Sequence, residues 1–382
     1  GNKTIFIDLD DLFKREANST KEEQYTLLWK LFDWLRQIFA ANHTQRLHYY
    51  LITYDHALHA RYNLIENSSI KDCELNVINS ASISGMLKTL SLENNPVSAG
   101  IISSRKKKDN LNEFLNYVYV SNICCEELLV DESSLFTSYY EYEEPIIWNN
   151  PKPNQTKKGW IISIGGGQGI GFKILTQLSN NFANLLLIGT TSLEKPEWFN
   201  AICSENSTIK RNAIIEFLKS KKQRITPVNI RREEIRLEKN SKLIENLEKL
   251  SNHFNKVEYI QLDINSENAI KTVHKYVQQK DILPSLILGI AGIIKDSLAI
   301  NKKEDDFKHV IDTKVSTFKL GRFLYELNPS ASLLYFTSVA SKTGNIGQVD
   351  YAIANEFINY GCNMLHWVKN TNKCHAVNWG PW

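Results

Sequence analysis

Ser338, Tyr351 and Asn355 lie thirteen and then four residues apart in FTSVASKTGNIGQVDYAIAN, with Lys314 upstream in DDFKHVIDTKVSTFKLGRFLYEL. The set supplies a proton donor, a group to hold a carbonyl, and a cation. A tyrosine with a pKa near ~10 is a poor acid at neutral pH unless a cation stabilises its phenolate. Lys314 can be that cation and can also touch the ribose of a cofactor. Ser338 ends the apolar run SLLYFTS, so its hydroxyl should emerge where open α/β sheets bind ligands. Tyr351 and Asn355, four apart in YAIANEFINYGCNML, share one helix face. Asn355 would position a water or the lysine for proton resupply. A lone serine or lysine is ordinarily structural. The joint spacing points instead to reduction of a ketone.

A hydride carrier needs its own site. WIISI reads as a strand, Gly165-Gly166-Gly167-Gln168-Gly169-Ile170-Gly171 as a turn, and FKILTQLSNNF as a helix. Glycines let backbone approach a pyrophosphate, and a helix N-terminus supplies unpaired N–H groups. Gly165, Gly169 and Gly171, with Ile170 between the last two, follow the G-x-x-x-G-x-G spacing. The next strand, NLLLIGTT, ends in Thr190, Thr191 and Ser192 without a carboxylate. That permits NADPH, whose 2′-phosphate an acidic residue would repel. The usual arginine is also absent, so hydroxyl groups and Lys195 would do its work, or the segment is a plain polar turn. Asp263, after VEYIQL, either meets the adenine amino group or caps the following helix. Ala291 and Gly292, closing PSLILGIAG, should border the same cofactor.

These elements belong to the second of two expected domains, since 382 residues exceed one ordinary core. KTIFIDLDD, RLHYYLIT and PVSAGIISS read as strands, and QYTLLWKLFDWLRQIFA and SASISGMLKTLSLE as helices. The alternation predicts a parallel α/β sheet in residues 1–157. No glycine-rich turn follows a strand there, so this half has the scaffold without the nucleotide site. YEYEEPIIWNNPKPNQTKKG reads as the exposed connection, and the second domain runs over 158–382. Within it, a charged stretch from 195 to 256 contains the helical NSKLIENLEKLSNHF. KVEYIQLDI, PSLILGIAG, ASLLYFTS and KCHAVNWG supply further strands.

Across the second half the chain resembles the short-chain dehydrogenase/reductases, and specifically the ketoreductase domains of modular polyketide synthases. Most of that superfamily has lysine four residues after the tyrosine and asparagine on the preceding helix. Here Asn355 and Lys314 exchange those places, as is typical of synthase ketoreductases; GQVDYAIAN and the closing VNWGPW are similar too. The resemblance implies two Rossmann-like subdomains, the first a truncated, cofactor-free structural half, of which SASISGMLKTLSLE looks like a signature. It implies an NADPH-dependent β-ketoacyl reductase acting on a thioester tethered by phosphopantetheine to an acyl carrier protein, beside neighbouring synthase domains. Family members of the D-type (B-type) carry Leu-Asp-Asp after the Ala-Gly; here Ile294-Lys295-Asp296 matches the second aspartate. The L-type carries tryptophan where Thr343 stands. The combination favours a D-hydroxy product under control of Asp296, unless Asp296 is a helix cap. Ile164 and Gln168 depart from the family's glycine turn, and Thr190 stands where arginine commonly meets the phosphate. Those departures motivate a catalytically silent structural module as the alternative. A free-standing reductase of small ketones is disfavoured, because it would not need the first half. The family pattern continues into a lid helix and a final strand beyond Trp382.

Other classes receive little support. No apolar run approaches the ~20 residues of a membrane span, and the acidic start does not resemble a signal peptide. A net charge of +3 does not suggest nucleic acid, and Arg105-Lys106-Lys107-Lys108 reads as a solvated loop. Cys73, Cys124, Cys125, Cys203, Cys362 and Cys374 form no framework, so reduced thiols and a cytoplasmic location are expected. His56 and His59 lack a third ligand, and no metal is expected.

Overall fold

The computed structural model describes residues 3–9, 20–41, 46–55, 57–61, 76–94, 97–104, 111–131, 134–138, 158–193, 207–369 and 371–381. The run at 105–108, Lys195, His56, Cys73, Cys203 and most of the connection between the halves lie outside those residues. The chain packs into two compact units. One joins Gly1–Asn149 to Gly292–Arg322 and Ser332–Trp382; the other comprises Asn150–Ala291 and Phe323–Ala331.

The first unit contains the sheet β1 (Lys3–Asp8), β2 (Leu47–Thr53), β3 (Val97–Ser104), β4 (Glu127–Asp131) and β5 (Ser134–Thr137), in that spatial order. The first four strands are parallel, with Ile5 opposite Tyr49 and Tyr49 opposite Ala99. β5 pairs antiparallel to β4, a reversal that the expectation of a parallel sheet did not include. Parallel strands need crossovers, provided here by α1 (Lys21–Ala40), α2 (Ala57–Arg61), α3 (Ser80–Glu93) and α4 (Leu111–Val120). α1 starts at a capping box, in which Thr20 and Glu23 satisfy each other's backbone N–H groups. Its buried stripe runs Tyr25, Leu28, Phe32, Leu35 and Phe39, the three-and-four spacing of an amphipathic helix. Among the described residues the strand order of this sheet follows the chain without reversing, so it contains no switch point of the kind at which open α/β sheets bind ligands.

The same unit holds β10 (Ser332–Ser338), α10 (Ala340–Thr343), α11 (Val349–Lys369) and β11 (Cys374–Trp379), with β10 parallel to β11. Much of α9 (Glu304–Leu327) belongs here too. Phe318 on α9 stacks on Tyr335 of β10 and meets Phe357 of α11 edge-on, which fixes these three elements together. α3 lies against α11 so closely that a Cβ on Gly85 would be 3.1 Å from the Ala352 carbonyl oxygen. Beneath that contact Lys88 donates to Glu127 at 2.7 Å, both side chains buried, and Ser84 also donates to Glu127.

The second unit contains β6 (Trp160–Ile164), α5 (Gly169–Leu178), β7 (Asn184–Gly189), α6 (Ser207–Ser220), α7 (Pro227–Ser251), β8 (Lys256–Gln261), α8 (Ala269–Gln279) and β9 (Pro284–Gly289). All the strand pairings are parallel, and β6 lies between β7 and β9, with β8 beyond β7. Chain order therefore reverses at β6. That reversal places the switch point beside the glycine turn. α7 begins well before NSKLIENLEKLSNHF: Thr226 accepts from the Asn229 N–H, and Pro227 opens the helix. Three- and four-residue ion pairs such as Arg231–Glu234 and Lys249–Glu245 cover its outer face.

Candidate active site

In the first unit, α9 carries Lys314 into a buried setting, 2% exposed. Its ammonium donates to the Phe336 carbonyl of β10 at 2.6 Å. Burial pulls its pKa down to about 8, so the group remains mostly cationic at neutral pH. Gly292 makes room for it: a Cβ there would stand 2.9 Å from Lys314 Cε.

Ser338 is the last residue of β10, and its Oγ accepts from the Ala340 N–H at 3.2 Å. Its surroundings are pinned by Thr337, Ser341, Asn359 and Asn378. Asn378 Oδ1 accepts from Thr337 at 3.0 Å, Ser341 at 3.1 Å and Asn359 at 3.1 Å. The Ser341 hydroxyl also lies 2.7 Å from the Ser338 carbonyl, so its one hydrogen is shared between that oxygen and Asn378. This network ties β10, α10, α11 and β11 around the serine. Asn359 lies eight residues after Tyr351, two helical turns along the same face, and that spacing is a signal the sequence contained.

Tyr351 sits in the first turns of α11 and is half-buried. Burial raises its phenol; the Asn355 side chain works against the rise, and the Asp296 charge adds to it. Asn355 is fully buried. Its Nδ2 donates to the Tyr351 carbonyl at 2.7 Å, while Oδ1 has no hydrogen-bond partner. A buried carboxamide with one unused acceptor suits a water or an ammonium. Asp296 is exposed and accepts from Gln348 at 3.2 Å. The short helix after it, Ala299–Asn301, starts from Leu298 rather than from Asp296. Thr343 closes α10, its hydroxyl donating to the Val339 carbonyl.

In the second unit, the turn after β6 has Gly165, Gly166 and Gly169 at φ of 79°, 89° and 60°, where a side chain would be strained. A Cβ on Gly171 would lie 2.4 Å from Gly166 Cα, and one on Gly165 2.8 Å from the Ala291 nitrogen. Ala291 N–H donates to the Ile164 carbonyl at 2.8 Å, which brings the two predicted cofactor segments together. Ile170 lies in the first turn of α5, whose N-cap Gln168 makes no side-chain capping bond. Gln168 reaches instead to the Lys239 carbonyl of α7, and Asn246 donates to the Gly167 carbonyl at 2.9 Å. The turn therefore fits a pyrophosphate: close backbone and an uncapped helix N-terminus. Thr190 and Thr191 follow β7, with Tyr259 donating to the Thr191 carbonyl at 2.6 Å. One Asp263 oxygen accepts from the Asn265 N–H, and the N-cap of α8 is Asn268. Among the described residues no three His, Cys, Asp or Glu side chains gather as a metal site, and no helix is long and apolar enough to cross a membrane.

Comparison with known proteins agrees with this reading of the fold. Polyketide synthase PksN of Bacillus subtilis is 29% identical over 133 residues, 33% of this chain but 2% of that protein. The 3-oxoacyl-[acyl-carrier-protein] reductase FabG of Pseudomonas aeruginosa is 28% identical over 97 residues, 24% of this chain and 39% of that protein. The chain thus spans only part of each curated relative. A ketoreductase domain from the bacillaene assembly line superposes with a TM-score of 0.66 at 16% identity, covering 100% of this chain and 81% of that one. An A-type ketoreductase from a modular polyketide synthase gives 0.64 at 16%, covering 96% and 65%. Both likenesses are of fold. The model of the KR domain matches residues 159–382, well over half of the chain, so the protein belongs to the KR, or ketoreductase, domain family.

Proposed function

We propose that the protein reduces the β-keto group of an acyl-carrier-protein-bound thioester to a β-hydroxy group, using NADPH and giving the D-product, in the cytoplasm beside other synthase domains. In this reading residues 1–157 are the cofactor-free structural half and 158–382 the catalytic half. The observation that carries it is Asn355: buried on the Tyr351 face of α11, tied to the Tyr351 carbonyl, with an acceptor oxygen unused. Such a group has a clear task in proton resupply and little value as packing.

Gly165, Gly169, Ile170 and Gly171 would hold the pyrophosphate, and Ala291 and Gly292 would border the nicotinamide side. Thr190 and Thr191 would receive the ribose phosphate, and Asp263 the adenine. When bound, NADPH supplies the hydride that the carbonyl carbon accepts. Ser338 and Tyr351 hold the developing oxyanion, and Tyr351 gives it the phenolic proton. Lys314 stabilises the resulting phenolate. Asn355 positions the water or lysine from which that proton is restored. Asp296 would guide the substrate to the face that yields the D-alcohol.

The test is NADPH oxidation with a β-ketothioester, carrier-bound and free, by wild type and Tyr351→Phe, with chiral analysis of the alcohol. We expect Tyr351→Phe to lose at least ~10²-fold in rate. Undiminished turnover by that variant removes the assignment, and an L-3-hydroxy product removes the role given to Asp296. Failure of the intact protein to bind NADPH would leave a silent structural module instead.

A further inference from the structure

The loop that carries Asp296 and the turn that leads into Tyr351 are held to each other from both sides. On one side stands Lys302, a lysine with no exposed side-chain surface. Its ammonium donates to the Lys295 carbonyl at 2.6 Å, the Gly347 carbonyl at 3.3 Å and Asp350 Oδ1 at 3.0 Å. Asp350 Oδ1 in turn accepts from the Tyr351 N–H at 3.0 Å. One cation thus links the residue before Asp296 to the residue before Tyr351.

On the other side stands Glu93, the last residue of α3. Its Oε2 accepts from the Ala299 N–H at 2.7 Å and its Oε1 from the Gly347 N–H at 2.9 Å. Each carboxylate oxygen therefore holds one of the two segments. Arg36 of α1 adds a grip on the first, donating to the Ala299 and Lys302 carbonyls at 3.3 and 2.9 Å. Between the two charges, the Ser297 N–H meets the Gly347 carbonyl at 3.0 Å, and Gln348 meets Asp296 itself.

A surface loop does not need this provision. Charged hydrogen bonds to backbone are the strong ones, and a carboxylate that spans two segments fixes their separation. Glu93 and Arg36 come from the half of the chain that has no reacting group. We propose that Glu93 and Lys302 act as a two-sided clamp that sets the position of Asp296 relative to Tyr351, and through it the hand of the alcohol formed. The stereochemical part rests on the ketoreductase function proposed above. Both are positioning residues: neither is assigned a contact with substrate.

Lys302→Met leaves Asp350 buried without its cation and is expected to compromise folding, so Glu93→Gln carries the test. A carboxamide has one acceptor oxygen, and it can hold the Ala299 N–H or the Gly347 N–H but not both. Hydrogen exchange followed by mass spectrometry on the full chain should show faster exchange in segments 293–303 and 344–352, with the strands unchanged. With a β-ketothioester and NADPH, the variant should lose at least ~10-fold in the ratio of D- to L-alcohol and gain in KM, with kcat within about threefold. General loosening would not split KM from kcat in that way. Thr89→Val, which removes a bond to the Asn345 N–H and leaves both oxygens of Glu93 on their partners, should leave the product ratio as in wild type. Unchanged exchange in both segments overturns the clamp, and changed exchange with an unchanged product ratio overturns its stereochemical role. A wild type that reduces nothing removes the function and with it the stereochemical role, while the exchange result still decides whether the clamp exists.

Discussion

Gly292 and Lys314 share one space: a Cβ on the glycine would stand 2.9 Å from Lys314 Cε and 3.3 Å from Nζ. The lysine is held on its other side by the Phe336 carbonyl. Gly292→Ala must therefore displace the end of a flexible side chain and not the backbone. The fold should survive within ~1 kcal/mol of wild type, while kcat falls about 10- to 100-fold as the ammonium leaves its place. Urea unfolding and steady-state kinetics on the same preparation check both halves of the expectation.

Lys314→Met should make the protein more stable as it makes it inactive. Burial lowers the lysine from 10.5 to about 8, so the unfolded chain binds the proton more tightly. Below pH ~8 the folded state bears the whole penalty, about 3 kcal/mol at ~1.36 kcal/mol per pH unit. Loss of the hydrogen bond to the Phe336 carbonyl offsets part of it, leaving a gain of about 1–2 kcal/mol at pH 7. Between about 8 and 10.5 the wild type recovers and the advantage disappears. Urea midpoints measured from pH 6.5 to 10 follow the difference; an advantage that grows with pH would refute the argument.

Gly171→Ala places a Cβ 2.4 Å from Gly166 Cα, and here the obstacle is backbone. The turn has to open. We expect a stability loss of about 1–3 kcal/mol and at least ~10-fold weaker NADPH binding. Fluorescence titration with NADPH measures the second effect directly, and unchanged affinity would show that this turn does not hold the pyrophosphate.

Lys88→Met removes the buried cation from Glu127. Breaking one side of such a pair costs about 3–5 kcal/mol, whereas replacing both with apolar groups is often near neutral. The double change Lys88→Met, Glu127→Leu should therefore recover most of the loss. Chemical denaturation of the four proteins in the cycle gives the coupling, and additive losses would contradict it.

How much could be read in advance followed from how local each signal is. WIISI, the glycines and the helix after them are contiguous, and steric rules tie them together, so both the turn and its place were legible. Tyr351 and Asn355 were legible because four residues is one turn of helix. The full length of α7 escaped notice because its many charges dilute the apolar period, although Thr226 before Pro227 marks its start. The short strands β4 and β5 were passed over, and nothing in ELLVD signalled that the next strand turns back. Glu93, Arg36 and Lys302 could not be picked out at all. Their importance lies in partners up to 266 residues away and in burial, which no local pattern records.

Glu93 also changes what heredity can do to such a protein. A recombination event that joined the first 157 residues of one member to the remainder of another would keep every reacting group proposed above. It would pair each carboxylate and arginine grip with a loop that had not varied alongside it. Chimeras of this kind should turn over yet drift in optical purity. On the proposed function, selection for one enantiomer would then act on a stretch of gene to which no reacting group is assigned.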